Sequence, residues 1–329
     1  MRRSLIAALA GALIFGACAP RDPAPPPPAR RDRFAAALLT SGSIADDGWD
    51  AAAYDGLRGI QAGLGAPVAH REASTPAARH EAMRLLARGG VDVLFAQGDE
   101  FQDAALAAGP LFPRTVFVVA EGDIRARNLV PLVFRVEEAA WLLGMAAGAQ
   151  STSGRAGAVA VRSRASARAL AAFRGGAQSV RPGFVLDEAW IADADDGEAA
   201  RSAAIAMIDA GADVLFQMAG AASRTVVAAC TERGVLCFAA PRPMNDRAPE
   251  AVLASAVVDV PAAMAEIATL VNGRRFRSGV FSYGMKEGIV AIAWNETLRR
   301  RIAPEAMKRI DETQAAILEG RFRPLLVDR

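Results

Sequence analysis

The chain has 329 residues, of which 52% are hydrophobic and 22% charged, with a formal net charge of +2. That length and apolar content suit two domains of ordinary size or one large α/β domain, and the near-balance of charge leaves no electrostatic footprint for nucleic acid. The sequence holds no His-Glu-x-x-His, no P-loop, no Gly-x-Ser-x-Gly elbow and no dinucleotide fingerprint after a strand. Its two histidines, His70 and His80, lack metal partners at ligand spacing. A hydrolytic enzyme therefore lacks its residues, and neither metal nor cofactor is expected.

The N-terminus reads as a targeting segment. Arg2 and Arg3 precede a short apolar run over residues 5–15, too short to span a bilayer. Phe15-Gly16-Ala17-Cys18 resembles the lipobox of bacterial lipoproteins, which implies lipidation of Cys18 and anchoring in the cell envelope. Removing residues 1–17 leaves 36 basic and 36 acidic side chains. Ala19 after the cysteine permits sorting to the outer membrane and leaves the choice of membrane open. Residues 19–33, with Pro25 to Pro28 in series, read as a polyproline tether. Cys230 and Cys237 fall at a helix end and within the next strand; two separate buried thiols are expected, although an oxidising envelope permits a disulfide.

From Phe34 strands and helices alternate. Residues 34–40 (FAAALLT) read as a strand, 48–64 as a helix with Trp49, Ala53, Gly56, Leu57 and Ile60 on one face, and 66–72 as a second strand. Ser74-Thr75-Pro76 opens a helix that Gly89-Gly90 ends. Strands follow at VDVLFAQ, TVFVVAE and 128–134, with helices to about residue 111 and over 137–150. The second series gives strands at GRAGAVAV, FVLDEAWI, ADVLFQMAG, VLCFAAP and AVLASAVVDV, with helices over 165–180, 195–210 and 223–233. A helix over 261–272, the strand VFSYGM and a final helix over 304–319 complete the chain. ARGGVDVLFAQGDEFQDAALAA and DAGADVLFQMAGAASRTVVAA share one grammar of helix end, Gly, Asp, buried strand, Gln, loop and helix. That repetition predicts two similar lobes with parallel sheets, with a TIM barrel as the alternative.

The loop SGSIADDGWDAAAYDGL, residues 41–57, joins the first strand to the first helix. Loops at strand carboxyl ends form the ligand crevice of open α/β sheets, and an aromatic face beside carboxylates suits a flat polar ligand. The competing reading makes Asp46 or Asp47 a helix cap and Trp49 a core residue.

Six segments carry a resemblance over about residues 34–292: ADDGWDAAAYDGL, VDVLFAQGDEFQDA, VFRVEEAAWLLGMAAG, AFRGGAQSVRP, GADVLFQMAG and FSYGMKEGIVAIA. In order and spacing they resemble the basic membrane protein lipoproteins, purine-nucleoside-binding subunits of ABC importers. The resemblance implies a type I periplasmic binding protein fold: two three-layer α/β/α lobes, residues 34–150 plus 256–284 and residues 151–255 plus 285–329, closing on a ligand. It implies an ABC permease as partner. Carried over by position, it makes Trp49 a base-stacking face and assigns ligand contacts to Asp47, Asp50, Gly98, Asp103, Asp195, Gly220 and Lys286. Departures concentrate in the second lobe. Asp193 stands where the family has an aromatic, Gly220-Ala221-Ala222-Ser223 replaces a glycine-rich loop, and residues 238–242 (FAAPR) lack an acid that contacts ribose. Arg242 there favours an anionic ligand. A non-transport lipoprotein that reuses the fold to regulate a partner or sense a ligand is the alternative. Read alone, Glu137 and Glu138 are solvated helix-start acids, and Arg162, Arg164 and Arg168 a solvated charged face.

Overall fold

The computed structural model describes residues 33–45 and 48–324. Cys18 and Asp47 lie outside the described residues, as do the remainder of the N-terminal leader and the caps considered at Asp46 and Asp47. No described helix is long and apolar enough to cross a membrane.

The first half alternates β1 (Ala36–Thr40), α1 (Trp49–Leu64), β2 (Val68–Glu72), α2 (Pro76–Arg88), β3 (Val93–Ala96), α3 (Gln102–Ala108), β4 (Val116–Ala120) and β5 (Leu129–Phe134). The inner strands are continuous apolar runs because the sheet is covered on both faces: β1, β3 and β4 are buried throughout, whereas β2, at the sheet edge, has no buried position. Local signals set the helix ends. The Thr75 hydroxyl accepts the Ala78 N–H at 3.3 Å with Pro76 in the first turn, and α1 ends on Gly65 in the left-handed region. α1 turns Ala52, Ala53, Gly56, Leu57 and Ile60 inward.

After β5 the chain enters α4 (Val136–Gln150) and then β6 (Arg155–Val161), α5 (Arg164–Val180), β7 (Val185–Ile191), α6 (Gly197–Asp209), β8 (Val214–Met218), α7 (Ser223–Arg233), β9 (Leu236–Ala239) and β10 (Val252–Val258). It continues through α8 (Val260–Asn272), β11 (Phe281–Tyr283), β12 (Val290–Trp294), α9 (Glu296–Arg299) and α10 (Pro304–Leu318). β12 and α9 are additions to the elements read from the sequence.

Two six-stranded sheets result, in the orders β11-β5-β4-β3-β1-β2 and β12-β10-β9-β8-β6-β7. Every pairing is parallel except β10 with β12. This is the two-lobed, periplasmic binding protein-like architecture, with one sheet per lobe in place of a closed barrel. The shared grammar has a physical basis. Asp92 Oδ2 accepts the Ala35 N–H at 2.8 Å, beside the start of β1, and Asp213 accepts the N–H groups of Thr152 and Ser153 at 2.7 and 2.8 Å, before β6. In each lobe one acid ahead of a central strand fastens the entry of its neighbour.

The chain passes between the sheets three times: from β5 to α4 at Arg135, from β10 to α8 at Asp259, and from β11 to β12 over residues 284–289. α8 returns to pack on α1, where the space at Gly56 is filled by Met264 and Pro261. α4 lies along α5 and against β10.

Cys230 and Cys237 are free thiols, both fully buried in the second lobe. They touch: hydrogen bonding to the Cys230 sulfur and burial together push the Cys237 thiol well up.

Candidate functional site

Parallel strands deliver their carboxyl ends, and the loops that follow, to one edge of each sheet. The two edges meet. Arg164 and Arg168, on the helix after β6, reach Asp99 after β3 and Glu121 and Asp123 after β4. The loops following β1, β3, β4, β6, β7, β8 and β9 therefore surround one seam between the lobes.

On the first-lobe side, Trp49 opens α1. Its ring stands edge-on to Phe134 at 5.5 Å and 88°, half-buried rather than enclosed, and its carbonyl accepts from Gln97 Nε2 at 3.3 Å. Asp50 closes its own loop, accepting the Gly42 N–H at 2.8 Å. Gly98 adopts φ +136°, a conformation that residues with a side chain rarely adopt, so the turn from β3 into its helix favours glycine at that position. Trp49, Asp50 and Gly98 are thus gathered on one rim. Asp103 is exposed on the first turn of α3.

On the second-lobe side, Asp195 is exposed and donates its backbone N–H to Asp193 Oδ1 at 2.9 Å; Asp196, its neighbour, caps α6 through the Ala199 N–H. Gly220 has φ +64°, and a Cβ there would stand 2.7 Å from that of Ala194, whose carbonyl accepts the Ala222 N–H at 2.8 Å. Asp195 and Gly220 therefore belong to two loops docked on each other. Arg242, half-buried after β9, follows the Ala240–Pro241 cis peptide. Lys286 is exposed on the third crossing, its Nζ near Gly320 at the end of α10 rather than among the rim loops.

The groups that join the lobes were read from the sequence as solvated, or, like Arg135 and Glu121, not weighed at all. Glu137 and Glu138, read as solvated, are 9% and 5% exposed. Glu138 holds Arg135 at 2.6 Å and accepts the Met285 N–H at 2.7 Å; Glu137 meets Arg168 at 3.3 Å. Of the three arginines read as a solvated face, Arg162 lies over the Trp190 ring at 5.0 Å, and the other two bridge the lobes. Apart from Arg135, three residues before Glu138, each partner is tens of residues away, so helix periodicity carried no sign of it. Glu121 had one local signal: it is a non-glycine residue with φ +57°, a sparsely occupied conformation that accumulates at functional sites. Burial pushes its carboxyl above the usual range, although Arg168 and the Phe134 N–H oppose that rise.

Two hollows lie away from this seam. One of about 300 Å³ sits at the opposite end of the second sheet among Gln150, Val235, Leu236, Glu250, Leu253 and Arg301. The other, about 670 Å³ and open, follows the outer edge of β2 beside His70 and Leu85. Burial holds His70 below its usual range, against the pull of Glu72, and its Nε2 lies 2.9 Å from the Thr40 hydroxyl. The described residues contain no cluster of ligating side chains able to hold a metal.

Residues 34–319 match the Bmp family model, described as ABC transporter substrate-binding protein PnrA-like. The chain is 28% identical over 244 residues to a purine-binding protein of Brucella abortus (strain 2308), covering 74% of this chain and 68% of that one. Its fold is similar to the crystal structure of an ABC transporter solute-binding protein from Aeropyrum pernix K1, with TM-score 0.79 and 20% identity over 90% of this chain and 94% of that one. It is also similar to that of a transcriptional activator of the comK gene from Bacillus halodurans, with TM-score 0.76 and 19% identity over 88% and 100% of the two chains.

Proposed function

This chain belongs to the Bmp family of PnrA-like ABC transporter substrate-binding proteins, and on that premise we propose that it captures a nucleoside-like or other small polar ring compound between its lobes. The family is one of binding proteins, not enzymes, and the solute is handed to an ABC transporter. The observation that carries the ligand class is Trp49, an aromatic side chain held half-buried at the seam by Phe134 and by the Gln97 contact to its carbonyl. Stacking on its ring supplies apolar contact, and polar groups on the rims, Asp50, Asp103 and Asp195 among them, supply orientation. The Brucella relative's purine binding supports the same class. The lipobox-like Phe15-Gly16-Ala17-Cys18 supports anchoring by lipid at Cys18, facing the periplasm beside a membrane permease.

A thermal-shift panel of nucleosides, nucleobases and related metabolites tests this. At least one compound should raise the melting temperature of the wild type and do so far less for Trp49→Ala. A wild type unmoved by every compound, or an equal shift in the variant, rejects the site.

A second reading, a partner-regulating lipoprotein, draws on the fold shared with the comK activator and on the second-lobe rim, where Asp193 and the Asp195 N–H are engaged with each other. Native mass spectrometry of the purified chain separates the two: a co-purified small molecule favours transport.

A further inference from the structure

We infer that Arg164 and Arg168 of α5 are closure residues: they set the balance between open and closed lobes by pairing across the seam, without serving as ligand contacts. Ser163 caps α5 by accepting the Ser166 N–H at 3.0 Å, which fixes Arg164 at the first helical position and Arg168 one turn later on the same face. Cations at a helix N-terminus oppose the helix dipole, so nothing local to α5 favours this placement. What favours it lies on the other lobe. Arg164 pairs with Asp123 and stands 3.8 Å from Asp99. Gln102 holds the Asp123 loop in place, accepting the N–H groups of Asp123 and Ile124 at 2.7 and 2.9 Å.

Arg168 reaches inward. Its Nη2 lies 2.8 Å from Glu121 Oε2 and 3.3 Å from the Phe134 carbonyl, and its Nε lies 3.3 Å from Glu137. Glu121 in turn accepts the Phe134 N–H at 3.0 Å, next to the first crossing. The inner pair is therefore seated beside the first crossing, whereas the outer pair joins the start of α5 to the loop after β4, farther from the crossing, and separates first when the lobes rotate apart. Their exposures differ accordingly. The Glu121 and Arg168 side chains are 10% and 23% exposed, and those of Arg164 and Asp123 are 47% and 56%. The outer pair is open to screening by salt; the inner one joins a carboxylate to the cation that offsets its desolvation.

Small-angle X-ray scattering without added ligand reads the lobe separation directly, so the result does not depend on which solute the protein takes. Removing the Arg164 charge (Arg164→Gln) should raise the open-to-closed ratio by about threefold, the worth of an exposed pair. Arg168→Gln should raise it by about tenfold or more, because closing would then bury Glu121 without its cation. Both appear as a larger radius of gyration, and Arg168→Lys should recover part of the change. Raising salt from about 0.1 M to about 1 M, where the screening length falls from about 10 Å to about 3 Å, should expand the wild type and leave Arg164→Gln nearly unmoved. Thermal melts report whether each variant is folded; the exposed Arg164 position keeps the test decisive if Arg168→Gln does not fold. A radius of gyration and salt response in Arg164→Gln identical to the wild type would overturn the inference.

Discussion

Asp213 shows how much one side chain fixes before any ligand is involved. Burial works against its charge, but the hydroxyls of Ser151 and Thr152 and the N–H groups of Thr152 and Ser153 outweigh it and hold the carboxyl at about 2. A depressed carboxyl stabilises the fold at pH values above its unfolded value near 4, and that contribution is lost as pH falls through the folded value. The group is partly in water, which reduces its worth to about 1 kcal/mol. Asp213→Asn should therefore lower the urea midpoint at pH 7 and narrow its gap to wild type as pH falls from 4 towards 2. A gap that stays constant with pH would show the loss to be packing rather than charge. The sequence made Asp213 visible through its twin, Asp92, because both sit at the same place in a repeated unit. It gave no comparable sign for Glu121, whose side-chain partners, the Phe134 N–H and Arg168, come from β5 and α5.

Elements were legible where their signals are local. Thr75-Pro76 and Gly65 set helix ends through backbone groups within a few residues of themselves, and buried parallel strands show as unbroken apolar runs. β12 was not recognised because its VAIAW run lies just after a crossing and is only partly buried, with one fully buried position. The two stretches AAWLLGMAAG and AFRGGAQSV were legible as motifs but not as partners: they are the facing surfaces of α4 and α5. A Cβ at Gly144 would overlap the Phe173 carbonyl oxygen, one at Gly176 the Trp141 carbonyl oxygen, and one at Gly148 would come 2.6 Å from that of Ala177. These three glycines let two helix backbones touch, a contact that tolerates no added methyl. Gly144→Ala gains in helix propensity but must push backbone from backbone, so a net loss of about 3 kcal/mol is expected. Chemical denaturation measures it. Gly59→Ala in α1, with open space around its Cβ, should instead be neutral or stabilising by up to about 1 kcal/mol.

For the molecule as a whole, the decisive question is how three crossings act as one hinge. Arg135, at the first, is placed by its N–H to the Tyr283 carbonyl at 2.7 Å. Its guanidinium takes Glu138 at 2.6 Å, the Ser282 hydroxyl at 2.8 Å and Glu287 at 2.5 Å. Glu138 then holds the Met285 N–H, and Glu287 the Gly284 N–H, so the first and third crossings share one charge network. Burial pushes the Glu287 carboxyl up, but the Gly284 N–H and Arg135 prevail and hold it below its usual range. The second crossing joins through the Asp259 N–H to the Ile289 carbonyl at 2.8 Å. The three crossings are thereby fastened to one another. Arg135→Gln leaves Glu138 buried with no cation, which should cost about 3 kcal/mol. Arg135→Lys keeps the charge but loses the fork that spans three acceptors, and should recover only part of that. A double-mutant cycle between Arg135→Gln and Glu287→Gln, read by urea denaturation, should give a coupling of about 1 kcal/mol or more. Additive losses would mean that the Arg135–Glu287 pair does not couple the first and third crossings, leaving their fastening to the Arg135 N–H on Tyr283 and the Glu138 bond to the Met285 N–H.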